Sequence, residues 1–197
     1  MKRFVIVVDM QRDFVAADGA LPVAGAEAIV LPMKVWLSGL RPEEVTGVLF
    51  TADTHVPTIY AGSAEAEQFP PHCEKGTPGW TLVIDPAAVD AAIPTYMLEK
   101  GVFDMWEEPG RTLARIGKCE TVDREAFFAG LRHVGIEEVA VVGVAADYCV
   151  RWAIEGLIER GFRIIVPTAL TRGIARPIDL VAAEEWAQSP VIVHEAA

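Results

Sequence analysis

A cysteine at the predicted start of a helix is the first residue in this chain whose position points to chemistry. The apolar run 139–144 predicts a strand, a turn of small residues follows it, and Cys149 then opens a helical pattern. Backbone N–H groups in the first helical turn lack an intrahelical acceptor and the helix dipole is positive there, so this position favours a thiolate. Cys149 is therefore a candidate nucleophile, although a small buried core cysteine is the commoner role of this residue type.

Three other reactive side chains, Asp9, Asp53 and Lys100, end or follow predicted strands elsewhere in the sequence. In a parallel α/β sheet, ligands bind in the crevice outside the carboxyl ends of the strands. We therefore expect these three residues to converge with Cys149 at one edge of the sheet. Lys100 would then supply a positive charge that favours the thiolate, and Asp9 would accept the thiol proton and pass it to a leaving group.

The long loop after the second predicted strand carries a further set of polar residues. Asp53 and His55 are two positions apart, and His72 follows a Phe-Pro-Pro sequence. One carboxylate and two imidazoles suit a divalent ion such as zinc, manganese or iron, with positions left open for water or substrate. Either Glu65 or Glu67 could add an oxygen ligand. Any one of these histidines taken alone would more often be a solvated loop residue.

Six short apolar runs predict the strands that would position these residues. They are residues 4–8, 45–51, 95–98, 139–144, 163–166 and 191–193. Helical patterns lie among them at residues 26–40, 123–133, 146–160 and 179–187. The alternation of strands and helices predicts an α/β fold with a doubly wound, mostly parallel six-stranded sheet and helices on both faces.

Local signals predict several element boundaries. Asp123 is a predicted N-cap, and Gly135 is the predicted stop of the same helix. Pro32 predicts a kink or a helix start within the first helical pattern. After a Pro-Gly turn signal, residues 111–116 predict a helical turn or two.

The composition predicts one domain over residues 1–197 and excludes some classes of partner. The chain is 52% hydrophobic and 23% charged, with a formal net charge of −11. It has no cluster of Lys and Arg, so binding to nucleic acid or to an anionic membrane surface is not expected. The N-terminal apolar run stops at Asp9, too early for a signal peptide, and no other stretch reaches membrane-spanning length. Three cysteines without disulfide or CxxC spacing fit a reducing compartment, so we expect a cytoplasmic protein.

The order of these motifs resembles that of the isochorismatase-like cysteine hydrolases, and within them the nicotinamidase/pyrazinamidase group. The resemblance covers nearly the full length. It rests on Val8-Asp9-Met10-Gln11-Arg12-Asp13-Phe14, Asp53-x-His55, Phe69-Pro70-Pro71-His72-Cys73, Gly76-Thr77-Pro78-Gly79, Lys100-Gly101 and Asp147-Tyr148-Cys149-Val150.

The turns after the predicted strands carry no Walker loop, dinucleotide-binding glycine motif or serine elbow, which argues against phosphoryl transfer and dinucleotide binding.

The resemblance implies roles for individual residues. The catalytic triad would be Asp9, Lys100 and Cys149, and the metal ligands would be Asp53, His55 and His72, with Glu65 matching a fourth ligand of some members. A cis peptide between Val144 and Ala145 is implied, with the N–H groups of Ala145 and Cys149 forming an oxyanion hole. Phe14 and Phe69 match the aromatic walls around a pyridine ring, and Phe103 or Trp106 would complete an aromatic slot.

The activity implied by the resemblance is hydrolysis of a small-molecule amide, nicotinamide, to nicotinate and ammonia. It would use a divalent ion, zinc in the first place, with manganese or iron as alternatives, and the protein would be a homo-oligomer. A related cysteine hydrolase for another small amide, such as a carbamoyl or ureido compound, is an alternative. A non-catalytic protein that binds a small molecule or metal is another, which the presence of Asp9, Lys100 and Cys149 disfavours.

Overall fold

A nine-stranded sheet lies at the centre of the computed structural model, which describes residues 2–194. Its strands are β1 (Arg3–Val8), β2 (Val45–Asp53), β3 (Thr95–Lys100), β4 (Thr112–Arg115), β5 (Thr121–Asp123), β6 (Glu138–Val144), β7 (Arg163–Pro167), β8 (Thr171–Arg172) and β9 (Val191–His194). Their order across the sheet is β5-β4-β3-β2-β1-β6-β7-β9, and β8 pairs with β6. The pairs β3–β4 and β4–β5 are antiparallel and the others are parallel. The predicted α/β class with a mostly parallel sheet is confirmed.

The predicted number of six strands is too low, because β4, β5 and β8 were not predicted. β4 occupies residues that were expected to form a helical turn. Within it Leu113 is fully buried while Thr112 and Ala114 are exposed, which is the alternation of a strand with one solvated face. A single buried side chain is too short a signal to separate a strand from a helical turn, so the antiparallel edge was missed.

Six α-helices surround the sheet within residues 2–194, and none of them is long and apolar enough to cross a membrane. They are α1 (Arg12–Val15), α2 (Ala26–Ser38), α3 (Pro57–Tyr60), α4 (Arg124–His133), α5 (Cys149–Glu159) and α6 (Ile178–Glu185). The four predicted helices correspond to α2, α4, α5 and α6. Short helical turns at Glu65–Glu67 and Pro78–Trp80 interrupt the long loop after β2.

The predicted start and end of α4 are confirmed, and the structure places Pro32 inside α2. The Asp123 side chain accepts a hydrogen bond from Ala126 N at 2.9 Å as the N-cap of α4, and Gly135 has a φ of +83° just beyond its end. Pro32 lies inside α2 and does not start it. Both Pro32 and Ala28 are on the exposed side of α2, where the carbonyl that loses its N–H partner can meet water.

Apolar side chains fill both faces of the sheet. On β1, Phe4, Ile6 and Val8 belong to the core cluster that contains residues of α4, α5 and α6. Val5 and Val7 belong to the opposite cluster, which contains residues of α2. Because successive side chains of a strand point to opposite faces, this double coverage accounts for the continuous apolar run of β1.

Candidate active site

The carboxyl ends of four adjacent parallel strands bring the four predicted strand-end residues together. Asp53 and Lys100 are partners in the register between β2 and β3, Asp9 directly follows β1, and Cys149 begins α5 after β6. Lys100 Nζ lies 2.9 Å from Asp9 Oδ2, 3.4 Å from Asp53 Oδ1 and 3.5 Å from Cys149 Sγ. The Lys100 ammonium group therefore contacts the Asp9 carboxylate, the Cys149 thiol and the Asp53 carboxylate, and Asp53 also lies next to the histidines described below.

Lys100 keeps its positive charge although it is only 1% exposed. Burial alone would lower its pKa, but the carboxylates of Asp53 and Asp9 outweigh burial and raise the pKa well above the ordinary value of a lysine. The ammonium is thus a fixed cation at neutral pH.

Burial disfavours the thiolate form of Cys149. Burial raises its pKa well above the ordinary value; the Lys100 charge opposes this, while the charges of Asp9 and Asp53 and a hydrogen bond with Asp9 add to it. Burial and the two carboxylates therefore oppose the thiolate that the helix start and Lys100 are expected to favour. Transfer of the thiol proton to Asp9 has to accompany attack on a substrate.

Thr51 fixes the carboxylate of Asp9. Thr51 Oγ1 donates to Asp9 Oδ1 at 2.5 Å and accepts from Asp9 N at 3.2 Å. Asp9 Oδ2 contacts Lys100, so each oxygen of the Asp9 carboxylate has a partner of its own. Thr51 was not singled out from the sequence, because it lies 42 positions away and meets Asp9 only across the pair β1–β2.

The turn before Cys149 is where the resemblance predicts an oxyanion hole. The peptide bond between Val144 and Ala145 is cis. Ala145 O accepts from the N–H groups of Tyr148 and Val150 at 3.0 and 3.1 Å. The N–H groups of Ala145 and Cys149 have no hydrogen-bond acceptor among residues 2–194 and are free to bind a ligand oxygen.

Four buried side chains form a cluster beside the triad. One ligand atom from each of Asp53, His55, Glu65 and His72 lies within 4.8 Å of the other three. His55 Nε2 is 3.2 Å from Asp53 Oδ2 and 3.3 Å from Glu65 Oε1; His72 Nε2 is 3.4 and 3.2 Å from the same oxygens. The structure thus brings Glu65 into the cluster, whereas Glu67 is exposed to solvent.

The charges and hydrogen bonds of this cluster fit a divalent ion. The buried carboxylates of Asp9 and Asp53 share the Lys100 ammonium, and the buried Glu65 carboxylate contacts only the two histidines, so negative charge is in excess here if the imidazoles are neutral. Burial lowers the pKa values of His55 and His72, but Asp53 and Glu65 outweigh it and raise both to about 9. The carboxylates of the cluster thus favour a positive charge at the positions of the two imidazoles. The four inward-facing atoms have no hydrogen-bond partner among the described residues, so an ion would bind donors that are otherwise unused.

Neighbouring groups orient the cluster. His72 Nδ1 lies 2.8 Å from Pro70 O, so Nδ1–H donates to this carbonyl and leaves the lone pair of Nε2 directed into the cluster. Gln11 holds the backbone of Asp53 from both sides: its Oε1 accepts from Asp53 N at 2.7 Å and its Nε2 donates to Asp53 O at 2.8 Å. Asp13 Oδ2 accepts from Cys73 N at 2.8 Å and so fixes the chain next to His72. Gln11 and Asp13 stood in the recognised N-terminal motif, but no role was predicted for them.

Aromatic rings cover the metal cluster and the triad. Phe14 is buried with its ring centroid 5.2 Å from that of His72, and Phe103 stacks on His72 at 6.3 Å and 16°. Phe69 meets Phe103 edge to face at 5.4 Å. Of the three predicted wall residues, Phe14 and Phe103 therefore contact His72, and Phe69 contacts Phe103. Tyr148 and Trp152, which were not predicted there, complete the cover: Tyr148 lies 5.4 Å from Phe69, and Trp152 stacks 5.8 Å from Phe103.

Trp106 anchors the loop that carries Phe103 and does not contribute to the slot. Its Nε1 donates to Ala153 O on α5 at 3.3 Å, and the Arg160 guanidinium lies 3.8 Å above its ring. A Cβ on Gly156 would come within 2.2 Å of the indole, so this position in α5 has to be glycine for the ring to fit. The nearly buried Arg124 donates to Trp106 O at 2.9 Å from α4.

A buried carboxylate holds the turn before the nucleophile against a neighbouring loop. Asp147 is 5% exposed. Its Oδ1 accepts from Ile174 N at 2.9 Å, and its Oδ2 accepts from Ala175 N at 2.8 Å and Arg176 N at 3.0 Å. Three backbone donors satisfy this anion without a cation, and they fix the position of the chain two residues before Cys149.

Comparison with known proteins agrees with this arrangement. The family model of the isochorismatase domain matches residues 3–177. The nicotinamidase/pyrazinamidase of Mycobacterium tuberculosis is 31% identical over an alignment of 196 residues, and the alignment covers 96% of this chain and 96% of that one.

Two solved structures extend the comparison to three dimensions. The crystal structure of the pyrazinamidase of Pyrococcus horikoshii in complex with zinc has a TM-score of 0.72 at 25% identity, covering 98% of this chain and 99% of that one. The N-carbamoylsarcosine amidase from Thermoplasma acidophilum has a TM-score of 0.71 at 25% identity, covering 98% of this chain and 95% of that one.

Proposed function

This chain belongs to the isochorismatase domain family, and from that membership we propose that it is a metal-dependent amidohydrolase that converts nicotinamide and water to nicotinate and ammonia. The observation that carries the proposal is the contact of Lys100 with Asp9 and Cys149 directly beside the cluster of Asp53, His55, Glu65 and His72. A nucleophile, a base and a set of metal ligands are thus within reach of one small molecule.

Attack by Cys149 begins the reaction. The thiol proton moves to Asp9 as the sulfur forms a bond with the carboxamide carbon, and the carbonyl oxygen becomes an oxyanion. The free N–H groups of Ala145 and Cys149 are the donors that stabilise it. Asp9 then gives its proton to the amide nitrogen, the C–N bond breaks, and ammonia leaves a thioester on Cys149.

Water completes the cycle. Asp9 takes a proton from water, the oxygen of that water attacks the thioester carbon, and the C–S bond breaks. The sulfur recovers its proton and nicotinate is released. Lys100 keeps its charge throughout and holds Asp9 in place through the 2.9 Å contact.

Asp53, His55, Glu65 and His72 would hold the divalent ion. When bound, such an ion would supply a Lewis-acid position for a ring nitrogen or a water molecule. Phe14, Phe69 and Phe103 offer apolar walls for a flat ring next to it.

Ammonia release from nicotinamide by the zinc-loaded protein tests the proposal, with a chelator-treated sample beside it. We expect turnover that depends on the ion, and Cys149→Ala to lower kcat by about 1,000-fold or more, since Cys149 is the thiol that Lys100 contacts. Cys119→Ala is the matched control, because Cys119 is an exposed free cysteine. A zinc-loaded protein that leaves nicotinamide intact would refute the nicotinamidase assignment.

Hydrolysis of a carbamoyl compound is the second candidate, because the structural likeness to the N-carbamoylsarcosine amidase is about as strong as that to the pyrazinamidase. The same triad would serve both reactions. Comparison of kcat/KM for nicotinamide, pyrazinamide and small N-carbamoyl compounds separates the two candidates.

A further inference from the structure

A cleft of about 390 Å³ opens beside the metal cluster. Its lining includes Glu65, Gln68, Phe103, Asp104, Glu107 and Trp152. Glu65 also belongs to the metal cluster, and Phe103 stacks on His72. The cleft therefore adjoins the metal cluster.

The walls of this cleft carry negative charge without positive charge. Outside the metal cluster the described lining residues include two carboxylates, Asp104 and Glu107, and neither lysine nor arginine. Asp104 Oδ1 accepts a hydrogen bond from Trp106 N at 2.8 Å, which orients the carboxylate but does not neutralise it. Glu107 is exposed, and no ion pair of Asp104 or Glu107 occurs within residues 2–194. The next residue, Glu108, differs because it is paired with Arg111.

The cations near the site already have carboxylate partners. Lys100 contacts Asp9 and Asp53. The Arg151 guanidinium lies 4.9 Å from the Trp152 ring centroid, and it is paired with Glu155 at 3.8 Å and Glu185 at 3.4 Å. A substrate that brings a carboxylate into the cleft would consequently meet unbalanced negative charge and no unpaired cation.

We infer that this cleft is the approach to the site and that Asp104 and Glu107 are specificity-determining residues in it, which select against amides bearing a carboxylate. The inference rests on the proposed function and narrows its substrate class to uncharged amides. Like charges in a cleft with apolar walls repel strongly because the field is focused there, and such repulsion is an effective way to reject a competing substrate. The same charges favour departure of a carboxylate product.

A matched pair of substrates tests the inference: nicotinamide and 5-carbamoylpyridine-3-carboxylate, which adds one carboxylate to the same ring. The variants are Asp104→Asn, which keeps the acceptor for Trp106 N, Glu107→Gln, and the double variant. We expect the double variant to raise kcat/KM for the charged amide relative to nicotinamide about 10-fold at low salt, and the gain to shrink as salt screens the charges.

Glu43→Gln is the control. It removes one exposed charge just before β2 begins, at the amino ends of the parallel strands and therefore away from the site at their carboxyl ends. It should leave the ratio of the two kcat/KM values unchanged. An unchanged ratio in the double variant, or a change that salt does not reduce, would overturn the inference.

Alkylation of Cys149 supplies a measurement that needs no amide turnover. Iodoacetamide is neutral and iodoacetate is an anion, so their relative rates at Cys149 report the charge of the approach, with the exposed Cys119 as internal reference. The measured quantity is the rate ratio of iodoacetamide to iodoacetate at Cys149, divided by the same ratio at Cys119. In the double variant this quantity should fall about threefold or more. If this quantity falls while no amide is hydrolysed, the inference stands and the proposed reaction fails. If nicotinamide is hydrolysed and the quantity is constant, the inference fails.

Discussion

The carboxylate of Asp53 joins the triad to the metal cluster through Lys100. Its Oδ1 lies 3.4 Å from Lys100 Nζ, and its Oδ2 lies 3.2 Å from His55 Nε2. Burial opposes ionisation of Asp53, but Lys100 and the histidines outweigh it and hold the pKa of this carboxyl well below its ordinary range. A change of charge at either centre therefore reaches the other through one side chain.

Gln11→Ala should weaken metal binding without removing a ligand. It deletes both hydrogen bonds that fix the Asp53 backbone, and loss of such supporting contacts typically lowers metal affinity about 10–100-fold. Zinc titration in competition with a chelator measures the effect. Gln188→Ala, at an exposed position, is the control and should bind zinc like the parent protein. Equal zinc affinities in the two variants would contradict the role given to Gln11.

Gly156→Ala should loosen the loop that carries Phe103. The new methyl group cannot share space with the Trp106 indole, so the ring has to move, at a cost of about 1–3 kcal/mol in the free energy of unfolding. We also expect KM for nicotinamide to rise several-fold. Gly130→Ala on α4 is the matched control, because a Cβ there meets nothing within 4 Å and should be neutral or slightly stabilising. Urea unfolding and steady-state kinetics check both variants, and equal stabilities would contradict the anchor.

Asp147→Asn should lower both stability and kcat. An amide side chain has one acceptor oxygen, so its NH2 group must face at least one of the three backbone donors that Asp147 now accepts. An unsatisfied donor of this kind costs about 1–3 kcal/mol, and the displaced turn should move Cys149 away from its productive position. Asp179→Asn at an exposed position is the control. Thermal unfolding and kcat are the measurements, and an Asp147→Asn variant matching the control in both would rule out the positioning role.

Glu108 should contribute stability that depends on pH. Burial raises its pKa, but the hydrogen bonds from Arg111 and Gly101 N outweigh burial, and the net pKa is below the ordinary value. A carboxyl with a lowered folded-state pKa contributes stability above its unfolded pKa of about 4.3, and this is lost as pH falls through the lower folded value. Glu108→Gln should therefore have a lower Tm than the parent protein at pH 7, by a small amount because the pair is partly exposed.

Comparing the two melting temperatures from pH 7 down to pH 3 tests the Glu108 linkage. The Tm difference between Glu108→Gln and the parent protein should become smaller as the pH approaches 3. Glu120→Gln, whose partner Arg115 is 3.7 Å away on a more exposed surface, serves as the control and should change Tm less. A Tm difference for Glu108→Gln that is constant with pH would contradict the linkage.

The convergence of Asp9, Asp53, Lys100 and Cys149 could be predicted because strand ends are marked in sequence by the apolar runs that precede them. The structure brings them within contact distance, as well as the three predicted metal ligands. The resemblance singled out Glu65, but the residue pattern alone left Glu65 and Glu67 open, because the choice depends on the direction in which one short helical turn presents its side chains. Thr51 and Gln11 were missed for a related reason: each meets its partner across strands, 42 positions away.

Electrostatic outcomes were the hardest to predict. The start of a helix and a nearby lysine both favour a thiolate, and sequence alone gives no measure of burial. Cys149 is only 4% exposed and lies beside two carboxylates, so its pKa is raised instead of lowered. Similarly, Trp106 and Phe103 are near neighbours in sequence, but only packing against Gly156 shows that one anchors the loop and the other faces the site.

The metal cluster spans a long and largely exposed stretch of chain between His55 and His72. An ion bound to both histidines would act as a crosslink that closes this loop, and a crosslink stabilises by removing chain entropy from the opened state. Without the ion, the stretch is held by weaker contacts such as the hydrogen bonds from Tyr60 Oη to Phe69 O and Pro70 O. Resistance of residues 56–71 to a protease is accordingly a readout of metal occupancy that requires no substrate.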